Sequence, residues 1–268
     1  MDEYRTITAS QREFVRSCGA AFDDRGWTSD YLTNLFQVPH PDTLNELIAR
    51  KEVAPDGRGA RIAAPHSSTA LAVNMFDWWR GRDLVPLGAA LGIPLDRFAG
   101  FEREHRFGRG RPAQLDVEFM SSAGLPMGVE VKLREPYGEV SNGFADRYFE
   151  TPGLWDGLPN LERLARTIRL GGDSTFLTLH AAQLIKHALG LRHSYGHAHT
   201  LVYLWHRLAG PVGDTHAREV ERFAQTAQSD VTFVAVTVRD ILDRFDPGPD
   251  WQRWLDYMTA RYLSPEDR

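Results

Sequence analysis

Two almost unbroken apolar runs near the carboxyl end constrain the fold of this chain more than any other feature. They are TLVYLW at residues 200–205 and VTFVAVTV at residues 231–238, and a polar segment with helical patterning separates them. Apolar runs of this length are typical of strands that are buried on both faces of a sheet. A strand–helix–strand unit is therefore expected, which places the chain in the α/β class.

An alternating region upstream predicts further strands. Polar and apolar residues alternate in three short segments, at residues 101–107, 114–120 and 128–133, and turn-like sequences separate them. Alternation of this kind is typical of strands with one buried face, and the short connections favour an antiparallel meander. The predicted architecture is an α/β fold with a mixed central sheet, in which the antiparallel meander is joined by the later strands and flanked by helices.

The first quarter of the chain differs from the rest. Residues 1–64 contain two helical patterns and a Gly/Arg-rich loop, so they are predicted to form an accessory helical segment, and residues 65–268 the main domain. No stretch approaches the roughly 18 uncharged apolar residues that span a bilayer, and no secretory signal is evident. One cysteine excludes a disulfide framework and a cysteine-based zinc site. A cytoplasmic protein without membrane contact is expected.

Two adjacent predicted strands carry charged side chains on one face. In LDVEF, Asp116 and Glu118 alternate with apolar residues, and in VEVKL, Glu130 and Lys132 do the same. Directly opposed residues of an antiparallel pair point to the same side of the sheet. A turn centred on residue 123 sets Asp116 opposite Glu130, whereas a turn centred on residue 124 sets Glu118 opposite Glu130. Either register gathers three carboxylates and one ammonium in a small patch.

Such a patch suits phosphodiester hydrolysis. Two carboxylates a few ångströms apart form an oxygen-ligand site for Mg²⁺, for which Mn²⁺ can substitute. A neighbouring lysine can position or deprotonate the attacking water and offset the charge of the transition state. Only three of the 31 basic residues are lysines, so a lysine at position 132 indicates a need for a compact ammonium. The alternative interpretation is an ordinary solvated strand face, where Glu–Lys pairs are common.

The same residues resemble a known motif. Asp116, thirteen intervening residues and Glu130-Val131-Lys132 resemble the PD-(D/E)XK motif of the restriction-endonuclease-like superfamily, with Leu115 where the motif usually has proline. The segments HSSTALAVNMF, LDVEF, GVEVKLREPYG, AAQLIKHALGL and LVYLWH, within residues 60–245, are similar to a bacterial family of restriction-endonuclease-related proteins.

The resemblance implies roles for these residues. Asp116 and Glu130 would bind Mg²⁺, Lys132 would act on the attacking water, and residues 65–268 would form a nuclease domain with the restriction-endonuclease-like core. The implied activity is Mg²⁺-dependent endonucleolytic hydrolysis of DNA, in restriction, phage defence or repair.

Other residues are candidates for supporting roles. Some superfamily branches resemble this chain in having a glutamine on the helix after the third strand, which makes Gln183 a candidate catalytic residue; His187 stands where those branches often have an aromatic residue. Glu102, on the first predicted strand, is a candidate metal ligand, and Glu118 and Glu135 are weaker candidates for a second ion. Arginines bind phosphate bidentately, so four that cluster beside the site are candidate DNA contacts. They are Arg103, Arg106, Arg109 and Arg111.

Two further functional hypotheses are open from the sequence. A catalytically degenerate member of the same fold would bind nucleic acid or a partner without cutting. A histidine-based metal enzyme would use His193, His197 and His199, although Gly190 and Gly196 favour a loop there and no fourth ligand is evident. The net charge of −5 argues against a nucleic-acid-coating protein but not against local DNA binding. Two cuts in a duplex would favour a homodimer by symmetry.

Overall fold

A five-stranded mixed sheet forms the centre of the molecule. The computed structural model describes residues 3–54, 60–107, 113–246 and 248–263. The strands lie in chain order, β1 to β5, across the sheet; the first three are antiparallel, and the last two run parallel to β3. The predicted α/β architecture is thus confirmed. The strands are β1 (Arg97–His105), β2 (Ala113–Met120), β3 (Pro126–Lys132), β4 (Thr200–Trp205) and β5 (Thr232–Thr237).

Helices cover both faces of this sheet. The α-helices of the described residues are, in chain order, α1 (Glu3–Ser17), α2 (Pro41–Ala49), α3 (Ser68–Phe76), α4 (Val85–Leu91), α5 (Arg147–Glu150), α6 (Pro159–Gly171), α7 (Ala181–Tyr195), α8 (Pro211–Ala227), α9 (Val238–Leu242) and α10 (Gln252–Tyr262). Helix α3 packs on β2 and β3 on one side, whereas α7 contacts β1, β2 and β3.

Two apolar cores result, one on each face. The first contains Val129 and Val131 of β3 with side chains of α3 and α10, and the second contains Leu201 and Tyr203 of β4 with side chains of α6, α7 and α8. All seven residues of β3 are buried, because helices cover it on both sides. Charged side chains on this strand therefore lie inside the protein and not on a solvated face.

The N-terminal segment shares the first core. Its side chains Ile7, Leu35, Leu47 and Val53 are buried in the same cluster as Phe76 of α3. Residues 1–64 are thus packed onto the rest of the chain, at least where the structure describes them. The boundary between residues 64 and 65 stays a prediction.

One helix boundary differs from the sequence expectation in a way that matters for the site. In the sequence, Asp173-Ser174 and Gly190 favour a helix that is capped at residues 173–174 and ends near Gly190, but α7 begins only after His180 and continues to Tyr195. Gly190 is buried within the helix, where a small residue permits close packing, and it does not end it. The helix ends at Gly196, whose positive φ of 80° is a backbone conformation that residues other than glycine rarely adopt.

Candidate active site

The register of β2 and β3 brings Asp116 next to Glu130. Val117 pairs with Val129, and Glu118 with Gly128, so the turn is centred on residue 123 and the alternative centred on residue 124 is wrong. Asp116 lies at the end of the paired segment, where its Oδ2 accepts a hydrogen bond of 2.6 Å from the backbone N of Val131. This bond fixes the Asp116 carboxylate beside the strand that carries Glu130.

Glu118 does not join this group. Its Oε2 lies 2.7 Å from Nε2 of His105, and its Oε1 accepts a hydrogen bond of 2.5 Å from the Tyr195 hydroxyl. These two partners lower the pKa of Glu118 although burial alone would raise it. The expectation of three carboxylates and one ammonium in a single patch on β2 and β3 is therefore wrong for Glu118, whose charge is compensated elsewhere.

Glu130 is the centre of the remaining group. It is 1% exposed, and its Oε1 accepts hydrogen bonds from Nζ of Lys132 at 2.5 Å and from Nε2 of Gln183 at 2.7 Å. Its Oε2 lies 2.9 Å from Nε2 of His187, but the two atoms are not in hydrogen-bond geometry. Within the described residues, this buried carboxylate oxygen has no hydrogen-bond partner. One oxygen of the carboxylate is thus held by two hydrogen bonds, whereas the other lies against the His187 ring without one.

The Glu130–Lys132 pair is ionised. Burial alone would raise the pKa of Glu130, but the Lys132 ammonium and the His187 imidazole lower it to about 2. Burial would likewise lower the pKa of Lys132, but the neighbouring carboxylates, with Glu130 first, raise it above its ordinary value. Lys132 therefore carries a proton that it can donate in a hydrogen bond.

Two further carboxylates lie close enough to Glu130 to interact with it. Burial, followed by repulsion from Glu130 and Glu102, raises the pKa of Asp116 well above its ordinary range. Burial also raises the pKa of Glu102 to about 7, with Glu52 and Glu130 adding to the shift and the side-chain amide of Gln114 opposing it. The three predicted metal ligands thus form a group of acids that repel one another.

An irregularity in β1 and β2 positions these acids. Glu102 has a φ of 51°, in the left-handed region that non-glycine residues rarely adopt. On either side of it the strands change face: Phe101 and Val117 belong to the first core, whereas Phe107 and Leu115 belong to the second. Local irregularities of this kind redirect side chains and are frequent beside active sites.

These residues fit a hydrated divalent cation. In the described part of the chain no three His, Cys, Asp or Glu side chains converge into a ready-made metal cage. Mg²⁺ does not need one, since it usually takes one or two carboxylates together with waters and substrate phosphate. The buried Glu130 oxygen that lacks a hydrogen bond and the raised pKa of Asp116 are features that such a cation would satisfy.

Comparison with known proteins assigns a family. Residues 25–263 match the family model described as restriction endonuclease associating with ARP. The chain belongs to this family. The match begins well before residue 60, so the family likeness includes most of the N-terminal segment. No curated protein and no solved structure matches the chain. Among its described helices, none is both long and apolar enough to cross a bilayer.

Some predicted residues of this restriction-endonuclease family member lie at the acidic group and others do not. Gln183 lies at the centre, bonded to Glu130. Arg103 is exposed and lies near Glu118, and Arg106 is exposed, with its Nη2 3.5 Å from Glu104. Arg109 and Arg111 are outside the described residues. The Glu135 oxygens accept bonds from Ser68 and from backbone N–H groups, so this side chain serves as a local cap.

The histidine pattern does not form a metal cluster among the residues that the structure describes. His193 lies on α7 and stacks against Phe107, His197 contacts Arg192, and His199 is buried with its Nδ1 3.0 Å from the carbonyl of Gly196. The expected loop is wrong for His193, since α7 extends beyond it. The three rings have separate partners, which removes the basis for a histidine-based metal enzyme.

Sequence reasoning undervalued His187 in this family member. In the sequence, His187 only stands where related branches often have an aromatic residue. In the structure it is 2% exposed and lies against Glu130. The signal was its spacing: a residue four positions after Gln183 on a helix occupies the same face. Any contact of Gln183 with the site therefore predicts one for His187.

Proposed function

We propose that this protein is a divalent-metal-dependent endonuclease that hydrolyses DNA phosphodiester bonds, with Mg²⁺ as its cofactor and Mn²⁺ as a substitute. The observation that carries the proposal is the environment of Glu130. Its carboxylate is buried and ionised, Lys132 and Gln183 hold Oε1 by hydrogen bonds, and Oε2 lies 2.9 Å from Nε2 of His187 without a hydrogen bond. Membership of a restriction-endonuclease family supports a nuclease activity for this group.

The carboxylates have distinct roles in this proposal. Asp116 and Glu130 hold the cation, and Glu102 is a third carboxylate at the edge of the group. When bound, the cation supplies positive charge that polarises the scissile phosphate and lowers the pKa of water. Asp116 is suited to binding the cation because its side chain is partly exposed. The backbone N–H of Val131 holds its carboxylate in place.

Lys132 acts as a donor in this proposal. Because the adjacent carboxylates raise its pKa, the ammonium keeps its proton at neutral pH. It can then orient the attacking water and stabilise the negative charge that develops on the phosphate. Gln183 holds Oε1 of Glu130 so that the carboxylate does not rotate when Lys132 turns towards the substrate.

A cleavage assay tests the proposal. Purified protein with Mg²⁺ or Mn²⁺ should cut plasmid or oligonucleotide DNA, and EDTA should stop the reaction. Lys132→Ala should abolish cutting while circular dichroism shows an intact fold, because its ammonium cannot be replaced by water. Lys186→Ala is the matched control, since Lys186 lies on α7 without a carboxylate within 4.0 Å among the described residues, and its loss should leave cleavage in place.

Two outcomes would contradict the proposal. Full activity of Lys132→Ala would place the chemistry elsewhere. Wild-type protein that binds DNA but never cuts it would favour the catalytically degenerate alternative. If both strands of a duplex are cut, we expect a homodimer in sedimentation, since symmetry would then present one site to each strand. Action on cellular DNA in restriction, phage defence or repair would place the protein in the cytoplasm.

A further inference from the structure

A polar cavity lies between the N-terminal segment and the nuclease core. Its volume is about 510 Å³, within the range of sites that bind small ligands. Tyr4 and Trp27 of the N-terminal segment line one side, and His66, Arg134 and His180 line others. Neither the metal ligands nor the proposed chemistry account for this cavity.

The cavity adjoins the proposed catalytic group. Arg134 follows Lys132 by two residues, so their Cα atoms are at most about 7 Å apart. His180 directly precedes α7, the helix that carries Gln183. If the scissile phosphate of a DNA strand lies at Lys132, a neighbouring phosphate of the same strand is within reach of Arg134.

Arg134 is the side chain of this cavity that is best placed to donate hydrogen bonds to a ligand. Its guanidinium lies 4.2 Å from the ring centroid of Tyr4, which holds it by a cation–π contact. Among the described residues it has no side-chain hydrogen bond and no carboxylate within 4.0 Å. An arginine held by its face keeps its N–H groups for an acceptor, and two parallel N–H groups match two phosphate oxygens.

Other donors surround the same space. Burial, followed by the nearby positive charge of Arg134, lowers the pKa of His66 to about 4, so the imidazole is neutral at neutral pH. Its Nδ1 is buried and has no hydrogen-bond partner within the described residues. Helix α3 begins at Ser68 on the wall of the cavity, and N–H groups in a first helical turn lack intrahelical partners.

Three acidic residues line the wall: Glu52 and Glu135 accept hydrogen bonds from the protein, and Glu139 is exposed. Glu135 Oε1 accepts a hydrogen bond of 2.7 Å from Ser68, and its Oε2 accepts bonds of 3.0 and 2.9 Å from the backbone N atoms of Leu133 and Arg134. Glu52 accepts a hydrogen bond of 3.3 Å from Thr69. Glu135 thus uses both oxygens for donors of the protein, and no described carboxylate lies within 4.0 Å of the Arg134 guanidinium.

We propose that this cavity binds a backbone phosphate of the DNA strand next to the phosphate that is cut, with Arg134 as the principal ligand. The inference rests on the proposed function, which brings the strand to Lys132. It assigns the N-terminal segment a role, because Tyr4 is the platform on which Arg134 is held. Substrate binding would then require residues on both sides of the boundary at residue 64.

Equilibrium binding tests this site separately from cleavage. A fluorescein-labelled 12-nucleotide DNA, single-stranded and as a duplex, is titrated with full-length protein in EDTA between 50 and 200 mM salt, so that nothing is cut. Arg134→Gln should weaken binding at least roughly tenfold, as expected for a lost charged hydrogen bond, and lower the slope of log K against log salt by about 1. Arg82→Gln is the matched control: Arg82 also lies on an aromatic ring, 3.7 Å from the centroid of Trp78, but does not line the cavity.

The outcomes separate this inference from the proposed function. Unchanged affinity and salt slope in Arg134→Gln, or an equal loss in Arg82→Gln, would overturn the phosphate site even if the wild type cuts DNA. A selective loss in Arg134→Gln would support the site even if the wild type cuts nothing. Should Arg134→Gln fail to fold, Arg134→Lys carries the test: it should keep the salt slope but lose several-fold in affinity, and wild-type affinity would count against bidentate binding.

Discussion

Replacement of Lys132 by methionine should reveal how strongly the active-site ion pair contributes to stability. Lys132→Met keeps the length of the side chain but removes the charge opposite Glu130, leaving a buried carboxylate with Gln183 as its one hydrogen-bond donor from a described side chain. The pKa of Glu130 falls from 4.5 to about 2 in the folded protein, which corresponds to roughly 3 kcal/mol. Breaking one partner of a buried pair typically costs about 3–5 kcal/mol. We expect the free energy of unfolding to fall by about 3 kcal/mol at pH 7.

The pH dependence of this loss has a defined sign. A carboxylate whose pKa is depressed by folding contributes stability that is present above its unfolded pKa and lost as the pH falls through the folded value. For Glu130 the window lies between about 4.5 and about 2. The difference between wild type and Lys132→Met should therefore be largest at neutral pH and shrink below pH 4.5. In the double variant Glu130→Gln/Lys132→Met, much of the loss should be recovered, because no buried charge is left unpaired.

Chemical denaturation in EDTA measures these differences. Lys186→Met is the control: the Lys186 ammonium donates a hydrogen bond of 3.0 Å to the carbonyl of Gly143 and lies over Phe144, so its loss should cost only about 1 kcal/mol. Saturating Mg²⁺ or Mn²⁺ should stabilise Lys132→Met more than the wild type, because a cation at Glu130 replaces the missing charge. The reasoning is refuted if Lys132→Met loses no more stability than Lys186→Met at pH 7.

Three further predictions concern the neighbours of this pair. Glu102→Gln should be more stable than the wild type by about 3 kcal/mol at pH 8 in EDTA and equal to it below pH 4.5, because a raised pKa of about 7 makes ionisation costly in the folded protein; equal stability at pH 8 would contradict this. Gln183→Leu should lower the free energy of unfolding by about 1.5–3 kcal/mol, and by much less in a Glu130→Gln background, as a double-mutant cycle would show. Tyr195→Phe should cost about 1 kcal/mol without changing Mn²⁺ affinity in calorimetry; reduced Mn²⁺ affinity would mean that Glu118 belongs to the metal site after all.

The sheet and its central pair were predictable from local pattern. Apolar runs at residues 200–205 and 231–238 identified β4 and β5, and alternation identified β1 to β3. The expected burial on both faces is wrong for β5, because it lies at the edge of the sheet and only Val236 is buried. Alternation alone permits two registers of β2 and β3, although the sequence contains a signal that separates them. Gly124 has a φ of 73°, and a three-residue loop with glycine in this conformation spans residues 122–124, which sets the centre at residue 123.

The packing of the charged side chains could not be predicted from alternation. Alternation predicts which face a residue occupies in a regular strand, but at Glu102 the left-handed backbone changes that face. Glu118 was expected to join the patch, and nothing local indicated that His105 and Tyr195 would compensate it. The cavity at Arg134 was also hidden, because it depends on the distant residue Tyr4. Contacts between segments far apart in sequence require the tertiary fold.

The acidic group is costly to the folded protein in the absence of a cation, and this cost bears on its function. Burial and mutual repulsion raise the pKa of both Asp116 and Glu102, so their ionised forms oppose folding at neutral pH. Glu102 adds a strained backbone, whereas the nearby acid Glu118 shows that this sheet can compensate a carboxylate fully. The protein compensates the charge of Glu118 but not the charges of Asp116 and Glu102. Uncompensated buried charges of this kind indicate a site that is built to bind a ligand of opposite charge. A divalent cation held by Asp116 and Glu130 offsets the repulsion that raises the pKa of Asp116 and Glu102, which is why we expect metal binding and stability to be coupled here.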